Sequence, residues 1–149
     1  MSFYVRGSGV VFFELSKKTT PDPLTVLVAI NWRVTVPHPL TTEAELEAAV
    51  DRSFTTAVFI FKHSETCGTS AYAREEVLEL LAESDLAAEV YLVSVQRSRA
   101  LSNAIAKRFL LRHESPQVLL IRNGKLAWNV SHFRVTVEQL TAALARATS

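Results

Sequence analysis

Past residue 37 the hydrophobic positions fall into two alternating rhythms. Apolar runs of strand length occupy residues 57–62, 89–95, 117–122 and 126–131. Valine, isoleucine, leucine and aromatic residues dominate them, as suits a pleated surface buried on both sides. Between them apolar residues recur at the spacing of one helix face. Leu46, Ala49 and Val50 make the first such face, and Ala73, Val77, Leu80 and Leu81 the second. Leu101, Ala104, Ile105, Arg108 and Phe109 make the third, and Leu140, Ala143, Leu144 and Ala147 the fourth. Thr42-Glu43-Ala44-Glu45 and Thr136-Val137-Glu138-Gln139 have capping-box form, a hydroxyl followed three residues on by Glu or Gln. Ser98 is the expected cap of the third helix. Asn123-Gly124 predicts a two-residue hairpin turn, because both positions tolerate positive φ.

The order α-βαβα-ββα predicts an α/β domain over residues 37–149. Helical crossovers make the first strands parallel, and the tight turn makes the last pair antiparallel. The expected product is a four-stranded mixed sheet covered by helices on both faces. In such sheets functional residues gather beyond the carboxyl ends of the parallel strands. Residues 1–36 fit this plan poorly. Two strand-like runs, 10–15 and 24–32, flank a polar stretch. An added hairpin, a poorly ordered extension and a misplaced translation start all stay open there.

Composition narrows the partners. Sixteen basic and 15 acidic residues leave a net charge of +1, and no basic cluster exceeds two residues, so a nucleic-acid role is not expected. No run reaches the ~20 apolar residues of a spanning helix. The apolar run at 10–13 is broken by Glu14, Lys17 and Lys18, too early for a secretory leader, so a cytoplasmic protein is expected. A single cysteine excludes an internal disulfide and suits a reducing compartment. Scattered histidines beside it lack zinc spacing, and no metal is expected.

That cysteine, Cys67, stands between the 57–62 strand and a helix-patterned segment from Gly68 to about residue 82. A helix N-terminus presents free N–H groups and a positive dipole end, which favour a thiolate. An unperturbed cysteine, with a pKa of about 8.5, is only ~7% thiolate near neutral pH, so the location matters to a nucleophile. Ser70 lies one helical turn on, in Cys-x-x-Ser spacing. Its hydroxyl is expected to stabilise a thiolate but cannot resolve a mixed disulfide. Gly68 admits close backbone approach, and Thr66 and Thr69 add hydroxyls at the same mouth. His63, His113 and His132 sit at strand ends where one or more would come near the thiol. Lys62 reads either as a source of positive field or as a solvated lysine. Glu75-Glu76 reads as a solvated helix face, and Trp128 and Phe133 as packing residues.

The segments "FKHSETCGTS", "YLVSVQRSRALSNAIAKRF", "RHESPQVLLIRNGK" and "AWNVSHFRVTVEQL" resemble the monothiol bacilliredoxins, thioredoxin-like proteins of the bacillithiol system. The resemblance runs from about Pro39 to Leu144 with the blocks in the family's order. The family usually has Thr-Cys-Pro-Ile-Ser, where this chain has Gly68 and Thr69 in the middle positions. The resemblance implies a thioredoxin-like fold and a monothiol oxidoreductase with Cys67 as attacking thiol. Its partners would be bacillithiolated proteins, with bacillithiol as thiol co-substrate and no bound cofactor. It also implies that Pro116 is the cis-proline facing the cysteine, and that Ser115 offers backbone groups to a bound substrate strand. Two alternatives remain on the residues alone. One is a non-catalytic thioredoxin-fold binding module, and the other a thiol-dependent reductase or transferase of a small electrophile.

Overall fold

A computed structural model describes residues 36–149 except residue 84, together with two short strands nearer the N-terminus. The chain divides into two units, Met1–Val34 and Thr35–Ser149. In the first, β1 (Val5–Arg6) pairs antiparallel with β2 (Val10–Val11). The strand-like run at 24–32 and most of that at 10–15 lie outside the described residues.

The second unit is a five-stranded sheet in the order β3-β5-β4-β6-β7. Its strands are β3 (His38–Pro39), β4 (Ala57–His63), β5 (Ala88–Ser94), β6 (Gln117–Arg122) and β7 (Lys125–Ser131). Its helices are α1 (Glu43–Arg52), α2 (Gly68–Ala82), α3 (Arg99–Arg108) and α4 (Val137–Thr148), with a 3-10 turn at His132–Arg134. β3 and β4 flank β5 in parallel, while β4–β6 and β6–β7 are antiparallel. The sheet thus has one strand more than the four expected. β3 is two residues long, too short to show alternation, and its proline is tolerated at the sheet edge, where a missing N–H costs no ladder bond.

Helices cover both faces. Phe59, Phe61, Val90, Val118 and Leu120 point to α2 and α4, meeting Ala73, Val77, Leu80, Leu140 and Ala143. Val58, Ile60, Val93, Leu119 and Ile121 point to α1 and α3, meeting Leu46, Ala49, Val50, Leu101 and Ile105. The Asn123-Gly124 turn has φ of 52° and 72°. Gly124 is further required because a Cβ there would stand 2.9 Å from the Phe54 ring.

Cap chemistry is mixed. Thr42 and Glu45 complete a capping box on α1, and the Thr41 and Thr42 donors hold the Glu45 carboxyl below its usual range. Thr42→Ala is expected to lower stability by about 1 kcal/mol, read as the unfolding midpoint in urea. On α4, Thr136 accepts from Gln139 N–H, but the first free amide, Val137 N–H, donates to Glu76 Oε2 at 2.8 Å. Glu76 is therefore a cross-helix cap for α4, and only half-exposed, not a freely solvated acid. Ser98 occupies the N-cap of α3 without a side-chain bond to it. On that helix Ser102 and Ala106 are buried beside Leu101 and Ile105, so its inner face is rotated from the one the apolar pattern predicts.

Candidate functional site

The end of β4 and the start of α2 are joined by the turn Ser64-Glu65-Thr66. Gln96, on the loop after β5, holds all three of its residues. Its Oε1 accepts from Glu65 N–H at 3.1 Å, and its Nε2 donates to Ser64 Oγ at 2.7 Å and Thr66 Oγ1 at 3.1 Å. Glu65 adds an ion pair with Arg97 at 2.9 Å and a bond from Ser94. Gln96 falls within the segment 91–109 that carries the family resemblance, but no chemistry in the sequence singled it out beyond its place just past a parallel strand.

Cys67 is the N-cap residue of α2, with extended backbone and a part-exposed side chain. The thiol is held below its ordinary range, chiefly by the Ser70 backbone N–H. Partial desolvation opposes this, and the Thr69 N–H and hydroxyl reinforce it. No acidic residue lies in the first turn of α2 to oppose the helix dipole. Gly68 is exposed at the first helical position, and a Cβ there would meet nothing within 4 Å. The family's proline would fit in that space, but glycine keeps an amide N–H that proline lacks.

Ser70 serves this site differently from the expectation. Its side chain is fully buried. Its Oγ accepts from Ser64 N–H at 2.8 Å and shares a 2.9 Å bond with His63 Nδ1. The hydroxyl thus fastens the turn while the backbone amide serves the thiol. His63 packs 5.5 Å from the Phe61 ring. Burial lowers its pKa, against a hydrogen bond at Ser70 that raises it, and nearby Arg74 adds to the lowering.

Lys62 is not a solvated lysine. Its side chain is 0% exposed, on the face it shares with Val58 and Ile60. Its Nζ lies 3.0 Å from His113 Nδ1 and donates to Gln117 Oε1 at 2.9 Å. Burial pushes its ammonium down to about 8, against a pull upward from Glu114. Desolvation, Lys62 and Arg99 in turn lower His113. The unfolded lysine titrates near 10.5. Between those values the unfolded chain binds more protons, so stability rises with pH. Urea unfolding should show this rise from about pH 8 to about pH 9.5, and Lys62→Met should remove it. An unchanged slope would mean that the amine is hydrated.

The remaining candidates sit on the neighbouring turn. Gln117 pairs with Lys62 across β4 and β6, and the Ser115-Pro116 peptide bond just before it is cis. His132, with φ of 56°, donates its N–H to Pro116 O at 3.0 Å, and its ring lies 3.9 Å from Glu114. The 3-10 turn that His132 opens packs on α2. The sheet therefore brings the Pro116 turn and the thiol helix to the same end. Ser115 Oγ is buried without a partner. Trp128 packs against the α2–α4 core, while Phe133 is 73% exposed on the 3-10 turn. His113 is taken up by Lys62 and Ser102. Among the described residues no cluster of acidic, histidine or cysteine side chains could hold a metal, and no helix is long and apolar enough to cross a membrane.

A part-exposed thiol with lowered pKa, at a helix start on the same end of the sheet as the Pro116 turn, is suited to disulfide exchange. Known structures share this frame. A proposed oxidoreductase with a thioredoxin fold is 36% identical, with a TM-score of 0.66 over 72% of this chain and 93% of its own. A mutant thioredoxin from Halobacterium salinarum NRC-1 is 19% identical, with a TM-score of 0.63 over 78% of this chain and 94% of its own. A thioredoxin from Malassezia sympodialis is 15% identical, with a TM-score of 0.62 over 77% of this chain and 93% of its own. These last two share the fold alone. The family model described as monothiol bacilliredoxin BrxC matches residues 38–140. The chain belongs to the monothiol bacilliredoxin family, thiol-redox proteins on a thioredoxin fold.

Proposed function

We propose that this protein removes bacillithiol from mixed disulfides on other proteins, with Cys67 as the nucleophile. The observation that carries this reading is the part-exposed thiol at the N-cap of α2, facing amide donors from Ser70 and Thr69. In the first step the Cys67 thiolate attacks the bacillithiol sulfur. The substrate protein leaves as its thiolate, and bacillithiol stays on Cys67 as a mixed disulfide. A second thiol then attacks that disulfide and frees Cys67, so no bound cofactor is needed. Ser70, filling the resolving position with a hydroxyl, leaves release to this outside thiol. Thr66, Gly68 and His63 shape the turn around the sulfur, while Ser115 and Pro116 offer backbone groups to the incoming chain. The partners are bacillithiolated proteins and a low-molecular-weight thiol.

Incubation with a bacillithiolated protein, followed by intact-mass analysis, tests this. A mass gain of one bacillithiol on Cys67, matched by its loss from the substrate, is expected. No gain on Cys67, with exchange still seen from other mixed disulfides, would replace bacillithiol by another thiol.

A further inference from the structure

Lys62 poses a question that the thiol chemistry does not answer. A cation buried in the sheet is costly. Stability alone gives no reason for it, since an apolar side chain of similar length would fill the space without desolvating a charge. Both bonds of its ammonium run to one place. His113 Nδ1 lies 3.0 Å away and Gln117 Oε1 2.9 Å away, and Gln117 Nε2 reaches back to Arg112 O at 3.3 Å. One buried group thus fastens both ends of the turn from Arg112 to Gln117.

That turn carries unused hydrogen-bonding groups. Ser115 Oγ is buried without a partner. Among the described residues the Ser115 N–H and C=O have no backbone partner either. A buried hydroxyl is ordinarily satisfied, so the vacancy at Ser115 Oγ needs an explanation. On its far side the turn is tied through Pro116 O to His132 N–H, and the 3-10 turn there packs on α2. Lys62 itself stays away from the sulfur, on the α1–α3 face of the sheet.

We propose that Lys62 is a positioning residue for disulfide exchange: its ammonium pins the Arg112–Gln117 turn so that Ser115 meets the polypeptide carrying the disulfide that Cys67 attacks. The inference rests on the thiol-exchange reading but not on bacillithiol being the thiol. It separates two properties that a general structural role would change together, engagement of a peptide and reactivity of the sulfur.

The test uses the full chain and three rates at Cys67. These are alkylation by iodoacetamide, exchange with the symmetrical nitrothiobenzoate disulfide, and exchange with a short cysteine peptide carrying nitrothiobenzoate. In the last, the thiolate attacks the peptide sulfur, a Cys67–peptide disulfide forms, and the coloured nitrothiobenzoate thiolate leaves with the electron pair. Lys62→Met should slow the peptide reaction at least about tenfold. It should leave the other two rates within about twofold, while the melting temperature falls by no more than the few degrees that an unpaired Gln117 oxygen costs. Three rates unchanged from the native protein, or an equal fall in all three, would overturn the pin. If Lys62→Met does not fold, Gln117→Leu and Gln117→Glu carry the same comparison. The carboxylate keeps an oxygen for Lys62 and should keep the peptide rate, whereas leucine should lose it. Equal peptide rates in that pair would overturn the pin. A native protein that exchanges with neither disulfide would overturn the exchange reading and the pin together.

Discussion

Cys67→Ser is expected to abolish thiol transfer, leaving only the uncatalysed background. A serine hydroxyl is far less acidic than a thiol and cannot form a disulfide, so neither the attack nor the covalent intermediate survives. The loss should be on the order of a thousandfold or more in rate, and no adduct should appear on the chain. Because Cys67 is the only cysteine, no other thiol can mask the effect. Ser70→Ala makes the contrast. Its hydroxyl is bonded to Ser64 and His63, and its contribution to the thiol comes through the backbone amide, which alanine retains. That variant should keep the adduct on Cys67 and lose stability in the turn. Loss of transfer equal to that of Cys67→Ser would mean that the hydroxyl acts on the sulfur directly.

The largest expected effect on stability belongs to Phe61→Ala. Phe61 is fully buried between the sheet and the α2–α4 layer, one strand position before Lys62 and beside the His63 ring. Truncation removes an aromatic ring and leaves a cavity that a five-stranded sheet closes poorly. The cost should be about 3–5 kcal/mol, a large part of the roughly 5–15 kcal/mol typical of a whole domain. In urea this is a fall of about 1–3 M in the unfolding midpoint. A change below about 1 kcal/mol would mean that the core refills the space, contrary to the packing described.

Much of the frame was legible because its signals are local. The apolar run through Ile60 and Phe61, the spacing of Ala73, Val77 and Leu80, the Thr42 capping box and the Asn123-Gly124 turn each lie within a few residues. Cys67 at a strand-to-helix boundary needed no more than that. The site's supports were hidden because their partners are distant in sequence. Lys62 meets His113 and Gln117 across 51 and 55 residues, and Gln96 reaches Glu65 across 31. One clue to Lys62 was present: strand alternation puts it on the face of Val58 and Ile60, hence inward. The direction of the Ser70 hydroxyl was not readable, since helical spacing fixes a face but not which of two nearby acceptors or donors a short side chain chooses. The empty bond at Ser98 has the same origin, because a serine before a helix can cap it or not according to its own backbone angles, here φ −125° and ψ 51°.

The central claim is that the Cys67 sulfur is reachable and that amides at the start of α2 hold its thiol below the ordinary range. Its most direct test is the rate of alkylation by iodoacetamide as a function of pH, followed on the native protein by mass. A single ionisation with its midpoint below the about 8.5 of an unperturbed cysteine is expected. A midpoint at or above that value, or a thiol that reacts only after unfolding, would contradict the claim and leave a thioredoxin-fold binding module in its place.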